Sequence, residues 1–250
     1  KIVCTLLFLV SLFIQNSLLG YVIATLFLGT VIRLSKVPLK YIVKGLKPIV
    51  ILLLFTVVMN LFLTQSGETL VHFWIFTITE GGLRTSVFMA IRLMYLVAGS
   101  SIMTFTTSPN GLTDGMEKLL HPLNRLNVPV HEVAMMMSIA LRFIPILLEE
   151  TDKIMKAQQA RGADFESGNI IQRAKAMVPI LVPLFVSAFR RANDLAMAME
   201  SRCYHGGDGR TKMKPLRYKS RDRAAYILTL IYIVVIFVVG RFVPFKLWIF

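Results

Sequence analysis

The chain has 250 residues, of which 55% are hydrophobic and only 17% charged, and its mean hydropathy is +0.65. That balance lies above the usual range for soluble domains and marks an integral membrane protein. The net charge of +14 then reports topology rather than nucleic-acid binding, because Lys and Arg collect in cytoplasmic loops.

Residues 2–14 are apolar, Gln15-Asn16-Ser17 interrupts them, and residues 18–32 are apolar again. Each run falls short of the ~20 residues of a full crossing, so the pattern predicts a helical hairpin with a tight polar turn. The chain begins at Lys1 rather than Met, which predicts further residues upstream. Lys1 ahead of an apolar run resembles a signal peptide, but no small-residue cleavage site follows it and more apolar segments do. Arg33, Lys36, Lys40, Lys44 and Lys47 come next with no acidic residue among them, the pattern of a cytoplasmic loop. Residues 48–63 make the next crossing. The segment 65–82 carries Glu68 and Glu80 but no Lys or Arg, and so reads as an outer loop with Phe73 and Trp74 at the membrane interface.

Residues 83–105 return to the cytoplasm with Arg92 inside the span. A charge there is costly and usually faces protein, so Arg92 reads as structural. Ser108-Pro109-Asn110-Gly111 is a turn signal, residues 112–120 form a short amphipathic helix, and His121-Pro122 ends it.

Beyond this the character changes. Residues 107–223 hold 18 of the 28 Lys+Arg and 12 of the 14 Asp+Glu, yet stay rich in Met and Leu. Two long amphipathic helices are predicted. In the first, Val133, Met137, Ala140, Ile144, Leu147, Thr151 and Ile154 step by three and four along one face, and Arg161 follows on that face. In the second, Leu184, Ala188, Ala192, Leu195 and Met199 do the same, and Arg202 follows by three. Pro145 should kink the first helix. Pro179 and Pro183 interrupt the second within the apolar run 177–189, which is short for a crossing. These helices are expected to lie on the cytoplasmic side. Residues 210–223 are again basic, and 224–240 make a last crossing outward. The expected fold is therefore all-α and polytopic: transmembrane helices over 1–106, a cytoplasmic-side module over 107–223, and a C-terminal transmembrane helix over 224–250.

Each long helix thus ends in an arginine cluster, Ala160-Arg161-Gly162 and Ser201-Arg202-Cys203. A cation at a helix C-terminus has a plain reading, since it faces the negative end of the dipole for about 0.3–1 kcal/mol, and Gly162 is an ordinary cap. The alternative is that a packed helix holds each guanidinium ready to offer its fork of donors to a partner. Two arginines similarly placed on successive helices weaken the plain reading, and the spacing alone leaves both open.

Other chemistry is missing from the sequence. There is no GxxxxGK[ST] loop, no HExxH, and no close His/Cys cluster. Cys4 and Cys203 lie far apart and outside any CxxC pattern. His72, His121, His131 and His205 are scattered, and each reads as a loop or helix-end residue rather than a ligand. Gly206-Gly207-Asp208-Gly209 reads as a turn ahead of a phosphate cradle. No acidic residue lies inside a clear transmembrane run, which leaves a proton relay unsupported.

The two clusters, followed by Tyr204-His205-Gly206-Gly207-Asp208-Gly209-Arg210-Thr211, resemble the transmembrane T component of energy-coupling factor (ECF) transporters, a family that includes the cobalt-transport permeases. The resemblance covers nearly the whole chain. One departure is visible: Ser-Arg-Cys stands where Ala-Arg-Gly is commoner in the family. The resemblance implies a multi-pass protein of a bacterial or archaeal cytoplasmic membrane, non-catalytic itself, that joins two cytoplasmic ATP-binding-cassette ATPases to a small substrate-binding membrane subunit for a vitamin or metal ion. It implies that the long helices are coupling helices and that Ala160, Arg161, Gly162, Ser201, Arg202 and Cys203 dock on the ATPases. ATP and Mg would bind the partner ATPases, with no cofactor on this chain. Two other classes remain as alternatives: a secondary transporter with its own site, which needs an intramembrane acid or a broken helix pair, and a membrane-bound enzyme, which needs a metal or acidic cluster.

Overall fold

The computed structural model describes residues 1–15, 17–63, 69–73, 76–165, 167, 169–207, 213 and 216–242. They divide into two compact units, Lys1–Ser108 with Arg217–Phe250, and Pro109–Leu216.

In the first unit the predicted hairpin is α1 (Ile2–Ile14) and α2 (Leu18–Ser35). Ser17 starts α2 because its Oγ accepts the Gly20 N–H at 3.2 Å, and Lys36 ends it in the left-handed conformation, φ 55°. Next, α3 (Leu39–Leu46) passes through a 3-10 turn, Lys47–Ile49, into α4 (Val50–Leu63), giving a 25-residue helical span. The sequence pattern predicts a basic loop here. Lys40 and Lys44 instead belong to α3, and Lys47 opens the 3-10 turn. Steps of four and three keep such residues on one face, where long side chains can reach out of an apolar span toward water.

The segment expected as an outer loop is a second departure. Thr69–Phe73 (β1) and Phe76–Thr79 (β2) pair antiparallel, with Val71 opposite Ile78 and Phe73 opposite Phe76. The run is dense in β-branched and aromatic residues, which suit a pleated ribbon. Trp74 lies outside the described residues. Thr79 then starts α5 (Glu80–Thr106), its Oγ1 accepting the Gly82 N–H at 3.2 Å. The last helix, α9, is Ser220–Phe242. Apart from the hairpin the all-α expectation holds.

The core of this unit joins α1, α2, α5 and α9 through buried Phe8, Leu12, Ala24, Ala98, Tyr232 and Ile236. The rings of Phe27 and Tyr232 stack at 4.2 Å between centroids, and Ser11 Oγ shares a hydrogen bond of 3.0 Å with Tyr232 Oη. A Cβ at Gly99 would stand 2.7 Å from Phe8 Cε1, so glycine lets α5 close on α1. Arg92 is structural, as its place in a span predicts: it donates from Nη2 to the Gln15 carbonyl at 2.9 Å and from Nε to Tyr21 Oη at 3.2 Å. It thereby ties α5 to the polar turn between α1 and α2. Large apolar side chains remain exposed, Ile51 at 79% among them, as a lipid-facing bundle requires.

The second unit holds α6 (Pro109–Leu120), a 3-10 turn at His121–Leu126, α7 (Val130–Ala160) and α8 (Ile170–Glu200). The two long helices have 31 residues each, about 46 Å apiece at 1.5 Å per residue. α7 continues through Pro145, and α8 through Pro179 and Pro183. At the start of α8, Gln172 Oε1 accepts the Asn169 N–H at 3.1 Å.

Six helical spans among the described residues are long and apolar enough to cross a membrane: Leu18–Ser35, Leu39–Leu63, Glu80–Thr106, Val130–Ala160, Ile171–Glu200 and Ser220–Arg241. α7 and α8 thus meet the length and hydropathy of a crossing as well as carrying the mixed charge of their segment.

Candidate functional site

α7 and α8 run antiparallel. Glu150 of α7 pairs with Arg191 of α8 at 2.9 Å. Nearer the start of α7, Ile139 and Phe143 share an apolar groove of about 290 Å³ with Leu195 and Met199. At its first turn, His131 meets the chain beyond α8, at Gly207. Arg161 stands eleven residues past Glu150, and Arg202 eleven past Arg191. The two arginines are therefore carried to opposite ends of the pair, each about 16 Å of helix from the ion pair.

Both helix ends use the same hydrogen-bond pattern. At the end of α7, Gly162 N–H donates to the Gln159 carbonyl at 2.9 Å and Ala163 N–H to the Gln158 carbonyl at 3.0 Å. At the end of α8, Cys203 N–H donates to the Glu200 carbonyl at 2.8 Å and Tyr204 N–H to the Met199 carbonyl at 3.1 Å. Each is a Schellman turn, in which one residue adopts a left-handed conformation so that the last carbonyls find donors. That residue is Gly162, φ 88°, in the first and Cys203, φ 55°, in the second. Arg161 and Arg202 occupy the same position, immediately before it.

All six predicted site residues, Ala160, Arg161, Gly162, Ser201, Arg202 and Cys203, are exposed. They form two separate three-residue tips rather than one constellation. A cavity of about 490 Å³ opens beside Arg202, and Met135, Ile139, Arg142 and Met199 line it. Arg142 was not singled out by sequence reasoning, because only the antiparallel packing brings it to the second tip. The same holds for the Glu150–Arg191 pair and for His131, whose Nδ1 lies 2.9 Å from Glu117 Oε1 of α6. None of these pairs has a characteristic spacing in the sequence. Of the glycine tail, Asp208 to Thr211 lie outside the described residues. Among the described residues no group of three His, Cys, Asp or Glu is placed to hold a metal ion.

The predicted apolar stripes need one correction. In α8 the packed face includes Ile180, Leu184, Ala188, Leu195 and Met199, close to the stripe read from the sequence, although Ala192 is exposed. In the first half of α7, Val133, Met137, Ala140 and Ile144 are exposed while Val130, Ala134, Ile139 and Phe143 turn inward; farther along, the predicted Leu147, Thr151 and Ile154 are half-buried as expected. The first half of α7 is apolar nearly all round, so its periodicity does not choose a face.

A family model described as cobalt transport protein, CbiQ, matches residues 1–213. The chain is also 56% identical over 232 residues to the energy-coupling factor transporter transmembrane protein EcfT of Clostridium kluyveri, covering 92% of this chain and 86% of that protein. The chain belongs to the EcfT/CbiQ family. It is 46% identical over 237 residues to the EcfT protein of Bacillus subtilis, covering 95% of this chain and 89% of the relative. With that of Heliobacterium modesticaldum it shares 49% identity over 248 residues, 99% of this chain and 90% of the relative. As an EcfT/CbiQ protein it is the transmembrane component of an energy-coupling factor transporter and a multi-pass protein of the cytoplasmic membrane.

Proposed function

We propose that this component couples ATP hydrolysis by two cytoplasmic ATP-binding-cassette ATPases to a separate small membrane subunit that binds the transported vitamin or metal ion. Arg161 docks in a groove of one ATPase and Arg202 in a groove of the other. The chain performs no catalysis of its own, and ATP with Mg binds the ATPases. α7 and α8 act as coupling helices on the cytoplasmic side.

The observation that carries this reading is the equivalence of the two tips. Two arginines occupy the same position of the same turn, both exposed, at opposite ends of an antiparallel pair. One tip per ATPase is what a two-lobed motor needs. A guanidinium entering a carboxylate-lined groove makes short, directional bonds that a neighbouring lysine would not reproduce. A rigid 31-residue helix then carries a nucleotide-driven displacement along its length. The exposed apolar faces of the pair, Met136 and Ile144 on α7 and Phe185 and Phe189 on α8 among them, offer packing surface for the substrate-binding subunit, and methionine adapts to exchange of partners.

The test is charge reversal. The Arg161→Glu/Arg202→Glu double variant should insert normally in the membrane, lose its ATPases on purification and abolish uptake. Unchanged uptake by that variant would reject the docking role.

A further inference from the structure

The chain beyond the second tip packs back on the start of α7. After Cys203 the chain turns at Gly206, φ 100°, and lays Gly207 against the imidazole of His131 at the start of α7. A Cβ at Gly207 would overlap the ring, meeting Cδ2 first, with Cγ at 2.8 Å and Nε2 at 3.1 Å. Cγ is the ring atom nearest the backbone, so no small rotation at the far end of the side chain opens that space. The ring is also held from its other side. Its Nδ1 lies 2.9 Å from Glu117 Oε1 on α6, and the Glu117 side chain is only 16% exposed. His131 Nε2 is itself buried, without a hydrogen-bond partner among the described residues. Between the tip and this seat, His205 Nδ1 lies 2.9 Å from the Cys203 carbonyl, which shortens the tail.

We infer that His131, held by Glu117, is a positioning residue for the second arginine: its ring seats Gly207 and so fixes the direction in which Arg202 leaves the end of α8. The inference rests on the docking role proposed above for Arg202. Fixing a loop before it binds removes an ordering cost from the bound state. The ring occupies the space a Cβ would take, which explains why the position is glycine when its neighbour Gly206 already supplies the turn.

The experiment uses the chain co-expressed with its transporter's ATPases and purified through a tag on this chain, with retained ATPase measured per inserted chain. Gly207→Ala should lower retained ATPase about tenfold. Adding His131→Ala removes the clash together with the seat, so the double variant should retain as much ATPase as His131→Ala alone. His131→Ala should cost nothing further once Arg202→Ala is present, yet should add to the loss from Arg161→Ala, because it acts through one tip only. A general packing defect would add to both. Wild-type retention by Gly207→Ala, retention by the double variant below that of His131→Ala alone, or equal additivity with both arginine variants would each overturn the positioning role. If Arg202→Ala and Arg202→Glu also leave retention unchanged, the docking role itself falls. If they weaken it while Gly207→Ala does not, only the positioning role falls.

Discussion

At the end of α7, the turn that presents Arg161 has Gly162 at φ 88°, and an added Cβ there would meet nothing within 4 Å. At the end of α8, the turn that presents Arg202 has Cys203 at φ 55°, and the chain four residues later is packed on the His131 ring. Among the described residues, nothing packs against the glycine of the first turn. The second tip accepts a strained residue in the turn and is braced from outside. The contrast teaches that an identical hydrogen-bond pattern does not imply an identical source of rigidity. In the first tip glycine makes the left-handed turn without steric cost. In the second, tertiary contact over-determines a conformation that a cysteine adopts reluctantly.

The largest expected effect tests whether the tips are equal in function despite this difference. Arg161→Glu and Arg202→Glu should each lower uptake by at least about tenfold, with the double variant inactive. If one single variant abolishes uptake and the other leaves it intact, the two tips do not engage equivalent motors. Next in size is Gly162→Ala. Open space surrounds that position, so its cost is purely conformational, about 1 kcal/mol, and retained ATPase should fall by about fivefold. No second-site change in a neighbouring side chain should rescue it, in contrast to the pairing of Gly207 with His131.

A smaller effect with the opposite sign is expected at Cys203. Cys203→Gly places at the second tip the residue that the first already has. It should raise the stability of the solubilised protein by about 0.5–1 kcal/mol, read as an upward shift in thermal unfolding, without loss of retained ATPase. A destabilised Cys203→Gly variant would mean that the thiol side chain makes a contact the turn depends on.

Much of this arrangement was legible before the fold was known, and the reasons are physical. Composition and the steps of apolar residues specify helices wherever one face differs from the other, so α2, α5, α8 and α9 follow the sequence closely. The arginines at 161 and 202 stood out because a helix end is marked locally, by glycine and by the loss of periodicity. The basic segment around Lys40 and Lys44 was misread as a loop because charge alone does not distinguish the end of a helix from the link before it. The hairpin at 69–79 is not read from the sequence because the charge pattern around it reports only a side of the membrane, and its β-branched and aromatic run is too short for periodicity to separate a ribbon from an interfacial loop. The inward face of the first half of α7 is illegible because Val133, Met137 and Ile144 are as apolar as the residues that pack, whereas Leu147, Thr151 and Ile154 beyond it are half-buried as the stripe predicts. The brace on the second tip depends on His131 and Gly207, 76 positions apart, which only the antiparallel return of α8 brings together.

The smallest expected effect concerns what the two tips share. Glu150 and Arg191 join α7 to α8 at 2.9 Å, with side chains 28% and 37% exposed. A pair so open to solvent contributes at most about 1 kcal/mol, so Glu150→Gln should lower the thermal stability of the solubilised chain only slightly. The pair nevertheless lies midway between the arginines, eleven residues from each, where a reversed charge would act on the sliding of one helix past the other. Glu150→Arg should therefore disturb docking at both tips together, through repulsion from Arg191, and Glu150→Arg/Arg191→Glu should restore both. A loss confined to one tip would mean that each arginine is placed by its own surroundings. The brace at His131 would then be the rule and the ion pair incidental.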